Sequence, residues 1–122
     1  MYVNNQYNTT STAGYNYLFL GPGAGTDGRS EVLHLGNLSS TQCSVPLHPR
    51  GDIYGTIGTR TPAGPLLCGD RSSITAECYQ LSQSEGSWSW VKMPSMNKKR
   101  AYAAGVVLGN GEWWVTGRNL PN

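Results

Sequence analysis

Short apolar runs, each closed by a glycine, recur along a chain that is otherwise rich in polar residues. Gly21, Gly69 and Gly117 stand at equal intervals of 48 residues. The apolar runs that they close cover residues 17–20, 65–68 and 113–116. Runs this short, bounded by glycine, are typical of buried β-strands. The spacing therefore predicts an internal repeat in which each unit is one small sheet.

The rest of the pattern predicts further short strands separated by turns. Glycine-rich residues 21–28 form a flexible loop, because glycine adopts positive φ without steric cost. Asn110 and Gly111 give a strong hairpin signal, and residues 60–64 form another turn. The predicted strands cover residues 17–20, 31–35, 54–59, 65–69, 77–81, 87–92, 102–108 and 112–117, and a short extended piece is expected at residues 43–46. Residues 1–16 carry almost no aliphatic side chain, and we expect either a polar lead-in there or an outer strand that has lost its apolar pattern.

Chain length limits how many units the repeat can form. A period of 48 fits about two and a half times into 122 residues. We expect about two repeats within residues 17–118 and an end in mid-repeat at residues 119–122. Propellers built from such sheets close with roughly 4 to 8 blades, so a closed ring needs more than this chain. Three explanations account for the missing blades. We favour the first, that the chain is a fragment of a longer protein. The others are that it assembles with other copies or that its fold is an open array of sheets.

Composition agrees with a β-protein and excludes several kinds of partner. The chain has 16 Gly and 7 Pro, and its charged fraction of 13% is about half the usual roughly 25%. A net charge of +2 is too small to indicate a basic surface that binds nucleic acid. No apolar stretch reaches the roughly 18 residues that span a bilayer, and the start does not resemble a signal peptide. The sequons at Asn8 and Asn37 slightly favour an extracellular location.

An ordered set of residues in the second repeat resembles the kelch repeat. It comprises a Tyr79 strand, an outer-strand tryptophan, the Met93-Pro94 stretch, Arg100 before a small-residue strand, and an apolar strand ending at Gly117. The family's second glycine is replaced three times, by Pro22, Asp70 and Arg118. The resemblance covers about residues 17–118. It implies antiparallel four-stranded blades of a kelch-type β-propeller, incomplete within this chain, and a role in binding proteins.

Several residues are expected to have structural roles in such blades. Trp88 or Trp90 would fix one sheet against the next, because a buried aromatic removes roughly 150 to 250 Å² from water. Trp113 and Trp114 are adjacent and therefore point to opposite faces of a strand. Arg100 is expected to pair with Glu77 or Glu112, or to bond backbone carbonyls. These residues join the repeated glycines as the predicted framework.

Three cysteines leave the redox state open. Cys68 ends one predicted strand and Cys78 lies in the next, so a cross-strand disulfide is sterically reachable. The resemblance supports the same pair, since some extracellular kelch-like proteins have a similar cysteine spacing. Cys43 would then be unpaired or bonded to a residue elsewhere. The alternative is three buried thiols that act as small apolar residues.

Catalytic and metal-binding patterns are weak in this sequence. His34 and His48 have no nucleophile at a recognisable spacing. Seven scattered carboxylates suggest no catalytic pair, and the cysteines and histidines lack the spacing of metal ligands. Some kelch-type propellers are copper radical oxidases, but no residue here can be matched to their ligand set. We therefore expect a protein that is not an enzyme and has no cofactor and no metal.

The favoured hypothesis is a module that binds a protein partner through loops on one rim. The loops at residues 23–30 and 70–75 both follow a repeated glycine and so lie on the same side. Candidate contact residues in them and at the last glycine are Arg29, Asp70, Arg71 and Arg118. The first alternative is a carbohydrate-binding or carbohydrate-active propeller that stacks sugars on Tyr79, Trp113 or Trp114. The second is a unit that completes a propeller by self-association.

Overall fold

The structure, a computed structural model, describes residues 3–7, 16–23, 25–34, 39–40 and 45–117. Within these residues every regular element is a β-strand. The strands are β1 Val3–Tyr7, β2 Asn16–Leu20, β3 Glu31–His34, β4 Ser39–Ser40, β5 Ile57–Thr61, β6 Gly64–Asp70, β7 Thr75–Ser84, β8 Ser87–Met93, β9 Ala104–Val107 and β10 Trp113–Thr116. All pairings are antiparallel. The prediction of an all-β chain with antiparallel sheets is confirmed.

Within each sheet, strands that follow one another in the sequence pair with one another. The first sheet has the order β1-β2-β3-β4, the second β5-β6-β7-β8, and the third contains β9 and β10. The β7–β8 turn consists of Glu85 and Gly86, whose φ angles are 51° and 81°. Positive φ at both central residues gives the turn a twist that matches that of the strands. Local turns of this kind explain why each sheet forms from a continuous stretch of chain.

Strand bounds differ from the prediction at most strands, and β4 was not predicted. β1 lies within the stretch expected to be a polar lead-in or an outer strand, and it pairs with β2. β5 begins at Ile57, because the carbonyls of Tyr54 and Gly55 accept hydrogen bonds from the loop amides of Arg71 and Tyr102. Of the extended piece expected at residues 43–46, the described residues 45–46 belong to no strand.

Two apolar clusters join the sheets. The cluster between the first and second sheets contains Phe19, Val32, Val45, Ile53, Leu67, Leu81 and Trp88, with Trp90 packed against it. The cluster between the second and third sheets contains Leu66, Cys68 and Cys78, with Met93, Met96 and Trp113 against it. Leu66 and Leu67 are neighbours on β6, so they point to opposite faces. The second sheet is therefore covered on both faces along its inner strands.

The first strands of the sheets lie next to one another. β5 contacts both β1 and β9. Because each sheet is a meander, the connections between second and third strands lie on the same edge as those that lead to the next sheet. This edge carries residues 21–30, 45–56, 70–75 and 94–103, and we call their described part the arginine rim.

Candidate binding rim

Backbone and side-chain hydrogen bonds join the loops of the arginine rim. Asp52 accepts hydrogen bonds from the amides of Gly25 and Thr26, at 3.0 and 3.1 Å. The backbone amide of Arg71 donates to the carbonyl of Tyr54 at 2.9 Å. The two loops predicted to share a rim are thus connected through the segment between them.

Asp70 is the buried centre of this network. Only 1% of its surface is exposed. Its carboxylate accepts hydrogen bonds from the amides of Tyr54 and Ser72 and from the hydroxyls of Ser72 and Ser73. Burial by itself raises the Asp70 pKa, but these hydrogen bonds favour the charged form and leave the pKa below its ordinary value. Asp70, predicted as a contact residue, here holds the rim loops together.

A second acidic residue, Glu77, pairs with two cations. Its carboxylate contacts Arg50 at 2.6 Å and Lys92 at 2.9 Å. The hydrogen bonds from Lys92 and Arg50 lower the Glu77 pKa. Arg50 also donates to the Ser73 hydroxyl at 2.6 Å. Arg50 and Lys92 are therefore engaged within the chain, which leaves other cations to face solvent.

His48 lies between the rim and the outer strands of the second sheet. Its ring packs edge-on against Tyr79 at 5.1 Å and Trp90 at 4.8 Å, between ring centroids. Nδ1 accepts a hydrogen bond from the Arg50 amide at 3.2 Å, which places the ring proton on Nε2. Burial lowers the His48 pKa to about 4, with Asp70 opposing and Arg50 reinforcing this change. The ring is therefore neutral at pH 7 and has a packing role.

The exposed charges of the rim are mainly basic. Arg29 and Arg71 are exposed, as are Lys98 and Lys99 in the connection to the third sheet. The exposed acidic residues of the described rim are Asp27 and Asp52, and Asp52 is bonded to the amides of Gly25 and Thr26. The carboxylates of Asp70 and Glu77, by contrast, are occupied by hydrogen bonds within the chain. Arg118, the third predicted arginine, lies outside the described residues. Sequence reasoning missed the network of Arg50, Asp52, Glu77 and Lys92, because its members come from separate loops and show no local motif.

The predicted disulfide between Cys68 and Cys78 is confirmed. The two cysteines are directly opposite in the β6–β7 pairing.

The bridge lies next to Gly69, where φ is +72° and an added Cβ would collide with the carbonyl of Arg100. Gly117 also has positive φ, +133°, while Gly21 is buried at the end of β2. Cys43 and the sequon residues Asn8 and Asn37 lie outside the described residues.

The tryptophans and Arg100 occupy distinct environments. Trp88 is buried between the first two sheets, and the Trp90 indole donates to the Pro46 carbonyl at 3.0 Å. Trp113 is half-buried against the second sheet, whereas Trp114 is 62% exposed. Arg100 donates to the Gly117 carbonyl at 2.7 Å. Of the partners predicted for Arg100, a backbone carbonyl is the one observed, since Glu77 pairs with Arg50 and Lys92 instead.

A cleft of about 540 Å³ lies between the connection to the third sheet and β10. Its lining comprises Pro94, Ser95, Met96, Asn97, Lys98, Arg100, Trp113, Trp114 and Val115. Over the described ranges, no group of three or more His, Cys, Asp or Glu side chains could hold a metal ion. The described part of the chain also contains no helix that is long and apolar enough to cross a membrane.

Comparison with protein-family models, curated proteins and solved structures gives no match for this chain.

Proposed function

We propose that this chain is a non-catalytic binding module whose arginine rim recognises an acidic surface of a protein partner. The observation that carries the proposal is the state of the rim charges. Asp70 is buried in the rim's own hydrogen bonds, whereas Arg29 and Arg71 are exposed on loops that Asp52 and Tyr54 connect. A loop surface fixed by internal bonds loses little entropy on binding. Exposed cations on it steer an acidic partner and select it.

We further propose that the sheets are blades of a kelch-like β-propeller. The meander order of the strands and the contacts of β5 with β1 and β9 support this assignment. A propeller brings loops of successive blades to one face, which is the arrangement that a binding rim needs. The assignment gives the fold alone, and the partner class comes from the exposed charges.

A peptide-display selection on the immobilised chain tests the binding proposal. We expect acidic peptides to be enriched, and we expect the double variant Arg29→Ala, Arg71→Ala to bind them at least 10-fold more weakly. The matched control is Arg60→Ala, because Arg60 lies by the β5–β6 turn on the opposite edge of the sheets. Selected peptides that lack acidic residues, or that bind the double variant equally well, would refute the proposal.

Carbohydrate binding is a second candidate, and the exposed indole of Trp114 favours it. The Trp114 Nε1 donates to Glu112 at 3.1 Å, which orients the ring beside the cleft. Aromatic faces of this kind stack on the apolar faces of sugars. A glycan array compared between the wild type and Trp114→Ala distinguishes this function. Sugar binding that Trp114→Ala abolishes would support it, and an array without hits would exclude it.

A further inference from the structure

A small pocket opens on the arginine rim between the glycine-rich loop after β2 and the segment that leads to the second sheet. Its volume is about 290 Å³, and its lining comprises Arg29, Ser30, Val45 and Leu47. Val45 is 9% exposed, whereas Leu47 is 59% exposed. The lining therefore combines a cation, a hydroxyl and two aliphatic side chains.

Contacts within the chain hold the two walls of this pocket together. The amide of His48 donates to the carbonyl of Gly28 at 2.8 Å. Gly28 has a φ of +78°, and an added Cβ there would meet the carbonyl oxygen of Gly51 at 2.9 Å. Asp52 also accepts hydrogen bonds from two amides of the glycine-rich loop. Because these contacts fix the walls before a ligand arrives, the pocket loses little entropy on binding.

Two polar groups of the pocket lack a partner within the described chain. Ser30 is 5% exposed, and its buried hydroxyl makes no hydrogen bond. The described ion pairs join Arg50 and Lys92 to Glu77, so the guanidinium of Arg29 has no carboxylate partner among these residues. A buried polar group without a partner is unfavourable, and a ligand that supplies an acceptor removes this cost.

The next repeat shows how the equivalent positions are satisfied. The backbone hydrogen bond between the pocket walls recurs 48 residues later, at 2.9 Å. Glu77 therefore occupies the place of Arg29, and Cys78 occupies the place of Ser30. Both have partners inside the chain, since Glu77 binds two cations and Cys78 is bridged to Cys68. The charge is reversed in the first repeat, so the ligand that fits there is an anion.

We propose that this pocket anchors an acidic side chain of the partner together with an aliphatic side chain next to it. The inference rests on the binding rim proposed above and names the chemistry that the rim recognises. The carboxylate pairs with Arg29 and accepts a hydrogen bond from Ser30, whose hydroxyl reorients by rotation about one side-chain bond. The aliphatic side chain packs against Leu47 and removes its apolar surface from water.

A side-chain carboxylate fits this pocket better than a chain terminus or a phosphate does. Sites for those groups use several consecutive backbone amides. The consecutive amides of the same loop, those of Gly25 and Thr26, are already bonded to Asp52. One guanidinium and one hydroxyl remain, and they match the two oxygens of a single carboxylate. In an extended segment, side chains two residues apart point to the same side, so one residue separates the acidic and aliphatic residues.

The probe is the fluorescently labelled peptide Ser-Gly-Glu-Ser-Leu-Gly with both ends blocked, titrated into the full chain. Amide NMR shifts report the site, and we expect saturable binding with the largest shifts at residues 29–30 and 45–47. Arg29→Ala should weaken binding about 10-fold. Arg71→Ala is the matched control, because Arg71 is an exposed arginine of the rim outside the pocket lining. It should change binding less than about 2-fold, since salt screens a charge that makes no direct contact.

Ser30→Ala separates binding from folding. This variant removes a buried hydroxyl that has no partner, so its urea midpoint should equal or exceed that of the wild type. Its affinity for the peptide should nevertheless fall about 3-fold or more, because the carboxylate loses a donor. A lower urea midpoint with unchanged affinity would show a structural role for Ser30 and overturn its assignment to the pocket.

Changes in the peptide test the aliphatic contact and the source of the carboxylate. Alanine in place of leucine should weaken binding to the wild type and should have little effect on binding to Leu47→Ala. Glutamine in place of glutamate should abolish binding, even when the peptide ends in leucine with a free terminal carboxylate. Tight binding of that glutamine peptide would overturn the choice of a side-chain carboxylate.

Failure of this inference is distinguishable from failure of the rim proposal. Acidic peptides that bind the wild type, but lose affinity equally with Arg29→Ala and Arg71→Ala and ignore the leucine, would overturn the pocket and leave the rim proposal in place. Acidic peptides that do not bind the wild type would overturn both.

Discussion

The carboxylate of Asp70 accepts a hydrogen bond of 3.2 Å from the backbone amide of Tyr54. This contact links the end of β6 to the segment that precedes β5, across 16 positions of the sequence. Because the carboxylate also binds Ser72 and Ser73, one buried charge organises two residues of the following loop and the entry to the second sheet at Tyr54.

Replacing Asp70 should therefore destabilise the chain. Asp70→Ala leaves several buried donors without an acceptor, and we expect a loss of about 3 kcal/mol in the free energy of unfolding. Urea denaturation followed by tryptophan fluorescence measures it. Asp27→Asn is the control, since Asp27 is exposed and asparagine tolerates its φ of 54°. Equal stability of the two variants would contradict the role assigned to Asp70.

The disulfide should contribute to stability by restricting the unfolded chain. It closes a short loop between residues separated by 10 positions, for which chain-entropy estimates give about 3 kcal/mol. We expect the variant Cys68→Ala, Cys78→Ala, made together with Cys43→Ser, to unfold at lower urea than Cys43→Ser alone. Reductant should shift the control and leave the variant unchanged. A control that does not respond to reductant would show that the bridge adds no stability.

Burial of His48 should make the fold sensitive to acid. Its pKa is about 4 in the folded chain and 6.5 ordinarily, so the unfolded chain binds the proton more readily. The contribution of neutral His48 to the free energy of unfolding is therefore fully present above pH 6.5 and is lost as the pH falls towards 4. Between pH 7 and 4.5 we expect a loss of about 2 kcal/mol. His48→Phe, which keeps an aromatic ring beside Tyr79 and Trp90, should lose much less over the same interval.

Gly69 and Gly86 provide a matched pair of glycine substitutions. Both have positive φ, 72° and 81°. An added Cβ at Gly69 collides with the carbonyl of Arg100, whereas at Gly86 it meets nothing within 4 Å. Gly86→Ala should lower the free energy of unfolding by about 1 kcal/mol, from backbone strain alone. Gly69→Ala should lower the free energy of unfolding clearly more than Gly86→Ala does. Similar urea midpoints for the two variants would contradict the close approach of Gly69 to the Arg100 carbonyl.

The two adjacent tryptophans should respond differently to truncation. Trp113 packs against the cluster of Leu66, Cys68 and Cys78, so Trp113→Ala should cost about 3 kcal/mol. Trp114 is exposed, so Trp114→Ala should stay within about 0.5 kcal/mol of the wild type. Thermal unfolding of both variants measures the difference. A larger loss for Trp114→Ala would reverse the faces assigned to β10.

Local patterns predicted much of the strand content. The short apolar runs before Gly69 and Gly117 fall within β6 and β10, and Asn110 and Gly111 lie in the turn between β9 and β10. β1 was predicted only as one of two alternatives for residues 1–16 and without bounds, because its residues Val3–Tyr7 are mostly polar and give no alternation. Its pairing with β2 is a property of the sheet and does not follow from local propensity.

The candidate rim was predictable only in outline. Equal spacing placed two loops on one side, because the meander returns each second strand to the same edge. Which residues of these loops are buried and which face solvent was not predictable. Asp70 and Arg71 are adjacent in sequence, yet one is buried and the other exposed. That difference depends on amide and hydroxyl donors from Tyr54, Ser72 and Ser73, which reach Asp70 only in the folded chain.

The sequence by itself determined that the chain forms short antiparallel strands, because strand patterns and hairpin turns are local properties of a few consecutive residues. It also contains the 48-residue repeat, and it left the Cys68–Cys78 bridge as one of two alternatives. Tertiary structure alone decided which face each apolar residue covers. Leu66 lies towards the third sheet and Leu67 towards the first. Both are equally apolar, and only the packing of whole sheets distinguishes the two sides of a strand.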